Sequence, residues 1–162
     1  MNRLARIISG GQTGVDRAAL DVALELGLPC GGWCPRGRRA EDGVIAAKYP
    51  LRETPTAEYA ERTEWNVRDS DGTLVLTRGQ PTGGTAFTIE LARAYGRPCL
   101  IVDLANPVPM RVVHDWLADN RIRVLNVAGP RAEGNSGIYQ QAAGFLRAML
   151  GREKESGGRD RT

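Results

Sequence analysis

Residues 4–27 have the sequence LARIISGGQTGVDRAALDVALELG, and this segment indicates the architecture of the whole chain. Residues 4–9 form a short apolar run that predicts a buried strand. Residues 15–26 carry apolar side chains at helical spacing on one face, which predicts an amphipathic helix that Gly27 ends. The segment is therefore expected to be a strand, a glycine-rich loop and a helix in succession.

The same alternation continues along the chain. We expect further strands at 30–34, 72–77, 99–104 and 123–127, and further helices at 56–70, 85–95, 110–119 and 137–150. The polar stretch 35–50 is expected to be a loop. This alternation favours an α/β fold with a doubly wound, mainly parallel sheet of about five strands and helices on both faces. In such sheets ligands bind at the carboxyl ends of the strands.

The composition narrows the classes of function. A chain of 162 residues suits a single ligand-binding domain, residues 1–150, and the apolar-free tail 151–162 predicts disorder. The formal net charge is +3 and aromatic residues make up 6%, so the chain is not expected to bind nucleic acid. No apolar run approaches the ~20 residues that span a bilayer, so no membrane association is expected.

The cysteines and the single histidine argue against disulfide bonds and against a metal site. Cys30, Cys34 and Cys99 are an odd number without a secretory signal, which predicts reduced thiols and a cytoplasmic protein. Their spacing fits no metal site, and His114 is the single histidine. No protein-bound metal is therefore expected.

The first candidate site is the loop that joins the first strand to the first helix. Free N–H groups at a helix N-terminus, together with glycines that let the backbone approach a ligand, can hold a phosphate. A plain glycine turn is the alternative, and Asp16 would then complement the helix dipole. The candidate ligand-binding residues here are Gly10, Gly11, Gln12, Thr13, Gly14, Asp16 and Arg17.

A second loop of the same design follows the third strand. Residues 79–85, GQPTGGT, open the third helix, so they too present N–H groups to an anion. Its threonines could cap the helix instead of binding a phosphate. The candidate residues are Thr82, Gly83, Gly84, Thr85 and, one turn further, Thr88.

The arginine-rich segment 33–43 is the third candidate. Arg36 or Arg38 could neutralise a phosphate, and Trp33 could stack on a flat heterocycle. A solvated arginine run and a buried tryptophan are the alternative. Asn66 shares a helix face with Arg62 and Asp69, and this face looks either into the cleft or to water. In the first case Asn66 is predicted to orient the ligand ring.

Four blocks of the sequence resemble the molybdenum cofactor carrier family: SGGQTGVDRAALD at 9–21, GGWCPRGRRAEDG at 31–43, RTEWNVRDSDGTL at 62–74 and GGTAFT at 83–88. The resemblance covers about residues 5–150. It implies a Rossmann-like fold related to the lysine-decarboxylase-like, cytokinin-activating phosphoribohydrolases. It also implies a carried molybdenum cofactor, a homo-oligomer (dimer or tetramer) and a molybdoenzyme as the candidate recipient.

The chain departs from the related phosphoribohydrolases at one position. Their motif P-G-G-x-G-T-x-x-E carries a glutamate for glycosidic cleavage, and Thr88 stands at that position here. A threonine cannot supply that carboxylate. We therefore predict a non-catalytic protein that binds and carries molybdenum cofactor or a similar phosphorylated pterin. The alternatives are a nucleotide sensor or a nucleotide-processing enzyme that uses Asp16, Asp42 or Glu90, and a purely structural subunit.

Overall fold

The computed structural model describes residues 4–159, with side chains up to residue 151. The strands are β1 (Arg6–Ile8), β2 (Cys30–Gly31), β3 (Trp33–Cys34), β4 (Arg39–Ala40), β5 (Gly43–Val44), β6 (Arg52–Glu53), β7 (Gly72–Thr77), β8 (Cys99–Asp103) and β9 (Val124–Ala128). The helices are α1 (Val15–Glu25), α2 (Tyr59–Arg68), α3 (Gly83–Ala94), α4 (Met110–Asp119) and α5 (Ile138–Arg159).

Five strands form the central sheet, in the order β2-β1-β9-β7-β8, and every neighbouring pair is parallel. The strand β9 lies between β1 and β7, with Leu125 opposite Ile7 and Val127 opposite Leu74. Right-handed crossovers place α1 and α4 on one face of the sheet, where α5 packs against both of these helices. They place α2 and α3, which pack against each other, on the opposite face. The predicted doubly wound parallel sheet with helices on both faces is confirmed.

The core explains why these residues form these elements. All six residues of β7 are buried, as expected for an inner strand of a sheet covered on both faces. The helix α1 turns small side chains, among them Ala18, Ala19 and Ala23, towards this core. Small residues there let α1 and α5 lie close together over the sheet.

The predicted second strand, 30–34, is divided in two. Gly32 has a φ of +126°, and a Cβ there would lie 2.3 Å from the Ser9 carbonyl oxygen. The chain therefore leaves the central sheet after β2, and β3 pairs with β6 in a separate two-stranded sheet.

The segment 35–50, predicted as a loop, also contains structure. Within it β4 and β5 pair as a short antiparallel hairpin. Ile45 and Tyr49 lie with Leu20 and Cys34 in a second, smaller core cluster. This segment is a folded insertion beside α1.

The C-terminal prediction lies partly outside the described residues. The backbone of α5 is described through Arg159, and residues 160–162 are not described. Disorder of 151–162 stays a prediction. None of the helices in the described part of the chain has the length and apolarity needed to cross a membrane.

Two glycines provide a matched test of this packing. A Cβ on Gly129, which follows β9, would lie 2.1 Å from the Leu76 carbonyl oxygen and 2.6 Å from Val15 Cγ2. Gly129→Ala should therefore lower the free energy of unfolding by about 2 kcal/mol or more. Gly144→Ala in α5 meets open space and should raise it by about 0.5–1 kcal/mol. Denaturant unfolding measures both, and equal effects would contradict the close approach at Gly129.

Candidate functional site

A cavity of about 610 Å³ opens at the carboxyl ends of β1, β7 and β9, beside α2 and α3. Three loops contribute to its wall: the β1–α1 loop (residues 9–14), the β7–α3 loop (78–82) and the β9–α5 loop (129–137). This is the crevice where doubly wound sheets bind ligands, and the volume suits a small organic molecule.

The N-terminus of α3 faces this cavity and is open. Its N-cap, Thr82, makes no side-chain capping hydrogen bond. Gly83 and Gly84 are exposed, and a Cβ on either would meet nothing within 4 Å. Their N–H groups have no acceptor in the described part of the chain. The helix therefore offers unused donors and a partial positive charge to an anion.

Arg62 brings a buried positive charge to the same cavity. It is 8% exposed, and its Nη1 donates to the Gly10 carbonyl oxygen at 2.8 Å. Its Nε donates to Thr63 Oγ1 at 3.2 Å. A Cβ on Gly10 would lie 2.6 Å from Nη1 and 2.8 Å from Cδ, so a larger residue there would displace the Arg62 side chain from its present position. Nη2 donates to no acceptor within residues 4–159 and is available to a ligand.

Asp16 places a carboxylate beside this arginine. It is buried in the cavity wall, where Gln12 N–H donates to Oδ2 at 3.4 Å. Burial raises the pKa of Asp16 to about 6, against the opposing effect of the Arg62 charge and two backbone hydrogen bonds. The cavity thus holds a group that changes charge close to neutral pH.

The N-terminus of α1, by contrast, is closed by the β9–α5 loop. Val15 N–H donates to the Pro130 carbonyl oxygen at 3.2 Å. A Cβ on Gly14 would lie 2.4 Å from that oxygen, and Gly14 has a φ of +80°. Of the seven residues predicted in this loop and first turn, only Gly10, Gln12 and Asp16 line the cavity.

The others pack behind the wall. Gly11 has a φ of +76°, and a Cβ there would lie 2.5 Å from Leu51 Cδ1. Arg17 forms an ion pair with Asp42, Nη1 to Oδ2 3.0 Å, and also donates to the Gly11 carbonyl oxygen. Thr13 donates its hydroxyl to Glu41 Oε1.

Glu41, which the sequence did not single out, ties the insertion to the β9–α5 loop. Its Oε1 also accepts the Glu133 N–H at 3.1 Å, and its Oε2 lies 3.5 Å from Arg131 Nε. Burial opposes ionisation of this carboxylate, but these contacts hold the pKa of Glu41 below its usual value. Since Arg131 and Glu133 line the cavity, Glu41 positions part of its rim.

The arginine-rich segment contributes no residue to the cavity wall. The guanidinium of Arg38 donates to the carbonyl oxygens of Ile45, Ala46, Tyr49 and Leu51. Arg36 is exposed, away from the cavity. The indole of Trp33 donates to Asp69 Oδ2 at 2.8 Å and meets Trp65 edge-on at 4.7 Å.

The other residues predicted from the sequence as ligand-binding do line the cavity. Its wall includes Asn66, Thr82, Gly83, Gly84, Thr85 and Thr88. The amide of Asn66 is already engaged with the Trp33 backbone, at 2.8 Å and 2.9 Å. Thr88 donates its hydroxyl to the Gly84 carbonyl oxygen at 2.9 Å. Thr88 therefore supports the first turn of α3 and supplies no carboxylate.

Sequence reasoning missed several residues of the wall. They are Tyr59, Arg62, Arg78, Gln80, Phe87, Asn126, Pro130, Arg131, Glu133 and Asn135. A signal for the last four was present: residues 129–137, GPRAEGNSG, form a third glycine-rich loop after a strand. Within residues 4–159 no three His, Cys, Asp or Glu side chains cluster as a metal site.

This architecture is similar to that of known proteins. Residues 7–150 match the circularly permutated YpsA SLOG family. A solved structure from Syntrophus aciditrophicus SB, of a "putative molybdenum carrier protein", is 45% identical, with a TM-score of 0.89 over 92% of this chain and 96% of that chain. These two matches confirm the family resemblance drawn from the sequence.

A second solved structure, of (E)-4-hydroxy-3-methyl-but-2-enyl diphosphate reductase, is 9% identical. Its TM-score is 0.39 over 90% of this chain and 59% of that chain, a likeness too slight to carry an argument. No protein of curated function matches the sequence significantly.

The raised pKa of Asp16 makes a prediction about stability. Below the ordinary pKa of 3.8, burial of Asp16 does not lower the free energy of unfolding. As pH rises from there through about 6, the buried side chain ionises and lowers the free energy of unfolding progressively. Asp16→Asn resembles the protonated form, so it should exceed the parent in free energy of unfolding by up to about 3 kcal/mol at pH 7.5. The difference should shrink towards pH 4.5.

Asp42→Asn is the control of opposite sign. The Arg17 hydrogen bond holds the pKa of Asp42 below its usual value, so this variant should be less stable than the parent at neutral pH. Denaturant unfolding from pH 4.5 to 7.5 measures both. A stability difference for Asp16→Asn that does not change with pH would refute the role given to burial.

Proposed function

The chain belongs to the circularly permutated YpsA SLOG family, and we propose that it binds and carries molybdenum cofactor, or a similar phosphorylated pterin, in the cavity between α2 and α3. The observation that carries this proposal is electrostatic. The open N-terminus of α3 and the buried guanidinium-bearing residue Arg62 line one cavity, and both favour an anion.

The mechanism is capture of a phosphate. N–H groups of Gly83 and Gly84 donate to its oxygens, and Arg62 neutralises its charge from the cavity wall. Donors to phosphate that are already held in place need little reordering on binding, which favours affinity. Arg78, also in the wall, adds a second positive charge from the β7–α3 loop.

The ring of the ligand would pack on Phe87. This side chain is 36% exposed and lines the cavity, one helical turn after Gly83. The ring of Tyr59 lies in the same wall but already has the guanidinium groups of Arg62 and Arg39 near it, at 5.0 Å and 6.0 Å. Phe87 takes over the stacking role that the sequence suggested for Trp33.

The name of the neighbour from Syntrophus aciditrophicus SB, "putative molybdenum carrier protein", supports a cargo that contains molybdenum, and molybdenum cofactor is the cargo that we propose. A pterin with a terminal phosphate has both features that the cavity addresses, an anion and a planar ring. Delivery to a molybdoenzyme and a cytoplasmic location stay predictions.

The direct test is co-elution. The protein is incubated with isolated molybdenum cofactor and gel-filtered, and molybdenum and pterin fluorescence are measured per chain. Near-stoichiometric co-elution supports the carrier function. Folded protein that elutes without either signal would overturn it.

A second candidate function, processing of a nucleotide, is favoured by Asp16 alone. Of the three acidic residues that could serve as acid or base, Asp42 is paired with Arg17 and Glu90 is exposed outside the wall. Asp16 lines the cavity, and burial raises its pKa to about 6. Product formed from a nucleoside monophosphate, and lost in Asp16→Asn, would establish this function.

The first prediction from the carrier function concerns charge. Arg62→Gln should weaken binding of molybdenum cofactor about 10- to 100-fold, because a charge-assisted contact to the phosphate is lost. Arg68→Gln is the matched control on the same helix, since Arg68 pairs with Asp69 outside the cavity. Fluorescence titration measures both affinities, and thermal unfolding confirms that each variant is folded. Equal affinities would remove Arg62 from the site.

The second prediction concerns the ring. Phe87→Ala should reduce affinity for the phosphorylated pterin about 5- to 50-fold and leave the weak binding of inorganic phosphate unchanged, since only the stacked ring is lost. Tyr95→Ala removes an aromatic side chain of similar exposure, 39%, outside the cavity wall. Isothermal titration measures the four affinities. An equal loss for both ligands in Phe87→Ala would show that Phe87 supports the fold and not the ring.

A further inference from the structure

Two buried side chains of the cavity wall, Gln12 and Asp16, keep hydrogen-bonding groups that the protein itself does not use. Both residues line the cavity, and they are 7% and 8% exposed. They are also neighbours, because the Gln12 N–H donates to Asp16 Oδ2 at 3.4 Å. A buried polar group needs a hydrogen-bond partner, so these two side chains are candidates for direct contact with a ligand.

The orientation of the Gln12 amide follows from its own hydrogen bonds. Its Oε1 accepts the N–H groups of Thr13 and Glu41, at 3.0 Å and 2.9 Å. An amide nitrogen cannot accept these bonds, so Nε2 is the group left to donate. Within residues 4–151, Glu41 Oε2 is the one buried side-chain nitrogen or oxygen without a partner, so Nε2, which also has none, keeps accessible surface. Gln12 therefore offers a donor in the cavity wall.

The carboxylate of Asp16 is an acceptor with free capacity. It accepts hydrogen bonds from the backbone of Gln12 and Gly10, whereas a carboxylate has about four acceptor positions. None of the ion pairs among the described side chains includes it. Burial raises the pKa of Asp16 to about 6, so the group is ionised at pH 7.5. An ionised carboxylate in this position favours N–H donors on the ligand.

A third side chain adds an acceptor close by. Asn126 of β9 is 3% exposed and lines the cavity, and its Nδ2 donates to Thr73 Oγ1 at 3.2 Å. Its Oδ1 has no donor among the described side chains. Asn126 pairs with Ile8 in the sheet, and the next residue, Ser9, donates its hydroxyl to the Asp16 carbonyl oxygen at 2.9 Å. The wall thus has acceptors on two neighbouring elements, α1 and β9.

A heterocycle with a 2-amino-4-oxopyrimidine edge carries the complementary groups. Along that edge a carbonyl oxygen, a ring N–H and an amino group follow one another, in guanine as in pterins. The carbonyl oxygen can accept from Gln12 Nε2. The ring N–H and the amino group can donate side by side to the two oxygens of Asp16, as a guanidinium does to a carboxylate. Hypoxanthine lacks the amino group, and adenine presents one donor beside an acceptor.

From this pattern we propose that the cavity selects rings with a 2-amino-4-oxopyrimidine edge, and that Gln12 and Asp16 bind this edge, with Asn126 as a further acceptor. The inference rests on the proposed function, since a phosphate held at the N-terminus of α3 anchors the ligand in the same cavity. Stacking on Phe87 contacts the face of a ring and leaves its edge to these groups. The ligand class comprises phosphorylated pterins and guanine nucleotides, and adenine nucleotides are disfavoured.

The first experiment compares GMP, IMP and AMP by isothermal titration at pH 7.5. All three carry the same ribose phosphate, and GMP differs from IMP by the 2-amino group alone. GMP should bind about 10- to 100-fold more tightly than IMP, because a hydrogen bond to a carboxylate is lost in IMP. AMP should bind more weakly than GMP by at least the same factor. Absence of GMP binding, equal affinities for the three, or tightest binding of AMP overturns the selection of this edge.

The second experiment assigns the edge to its two side chains. Asp16→Asn should bring the ratio of GMP to IMP affinity down to about 1, because an acceptor is replaced by a donor. Gln12→Glu should weaken GMP and IMP by the same factor, about 10-fold, since both rings have the carbonyl oxygen that Nε2 contacts. Asp115→Asn is the matched control, because Asp115 is exposed on α4 and outside the cavity wall; it should keep the parental ratio.

Thermal unfolding confirms that each of these variants is folded. A ratio that Asp16→Asn leaves unchanged removes Asp16 from the ring site, and unchanged GMP affinity in Gln12→Glu removes Gln12. Either result overturns the corresponding contact.

A third experiment separates the pterin from the purine. Neopterin phosphate has the same edge and should displace GMP, and the lower of the two Kd values shows which ring system the cavity fits better. Failure to displace GMP overturns the shared site. Failure of the inference also differs from failure of the carrier function. Molybdenum cofactor that co-elutes with a protein indifferent to the 2-amino group overturns the inference alone, whereas preference for GMP without co-elution supports the inference and overturns the carrier function.

Discussion

The insertion of β9 between β1 and β7 is the constraint on which the rest of the structure depends. Because helices cover both faces of this parallel sheet, its inner strand β9 is buried on both faces: Leu125 and Val127 lie on one face and Asn126 on the other, and all three are buried. At its end the backbone passes so close to Leu76 and Val15 that Gly129 has no room for a side chain. The β9–α5 loop is thereby carried onto the N-terminus of α1, and the cavity forms beside it.

That placement explains why two similar glycine-rich loops differ in chemistry. The Pro130 carbonyl oxygen occupies the N–H group that opens α1, whereas the first N–H groups of α3 meet open space. A helix N-terminus attracts an anion only where its donors are free. The buried Arg62 adds charge on the open side, and Asp16 balances part of it. The cavity wall accordingly combines these polar groups with the aromatic side chain of Phe87.

The folded insertion uses arginines as structural residues. Arg38 has a φ of +55° and joins four backbone carbonyl oxygens that no strand ladder satisfies. Arg17 similarly joins the β1–α1 loop to Asp42. A guanidinium carries five donors in a rigid plane, so one arginine can hold a loop together where a lysine could not. The same property makes arginine a good phosphate ligand, and sequence alone does not distinguish the two uses.

Local signals in the sequence were enough to predict the order of the helices and of the central strands, the parallel sheet and the edge of that sheet at which the cavity opens. The period of apolar residues and the positions of glycines specify helices and strands through residues close in sequence. For this reason α4 was predicted at its observed bounds. The β7–α3 loop and the first turn of α3 were likewise correctly located, because all the groups that build that end of the cavity are neighbours in the chain.

The contacts that the charged and polar side chains make could be identified only in the folded chain. Arg62 meets Gly10, Glu41 meets Glu133, and Asn66 meets Trp33 across 33 to 92 residues of sequence. Those contacts depend on β9 entering the middle of the sheet and on the kink at Gly32, and neither leaves a periodic pattern. Local sequence specifies which groups can bind an anion; long-range strand pairing determines which of them stay free to do so.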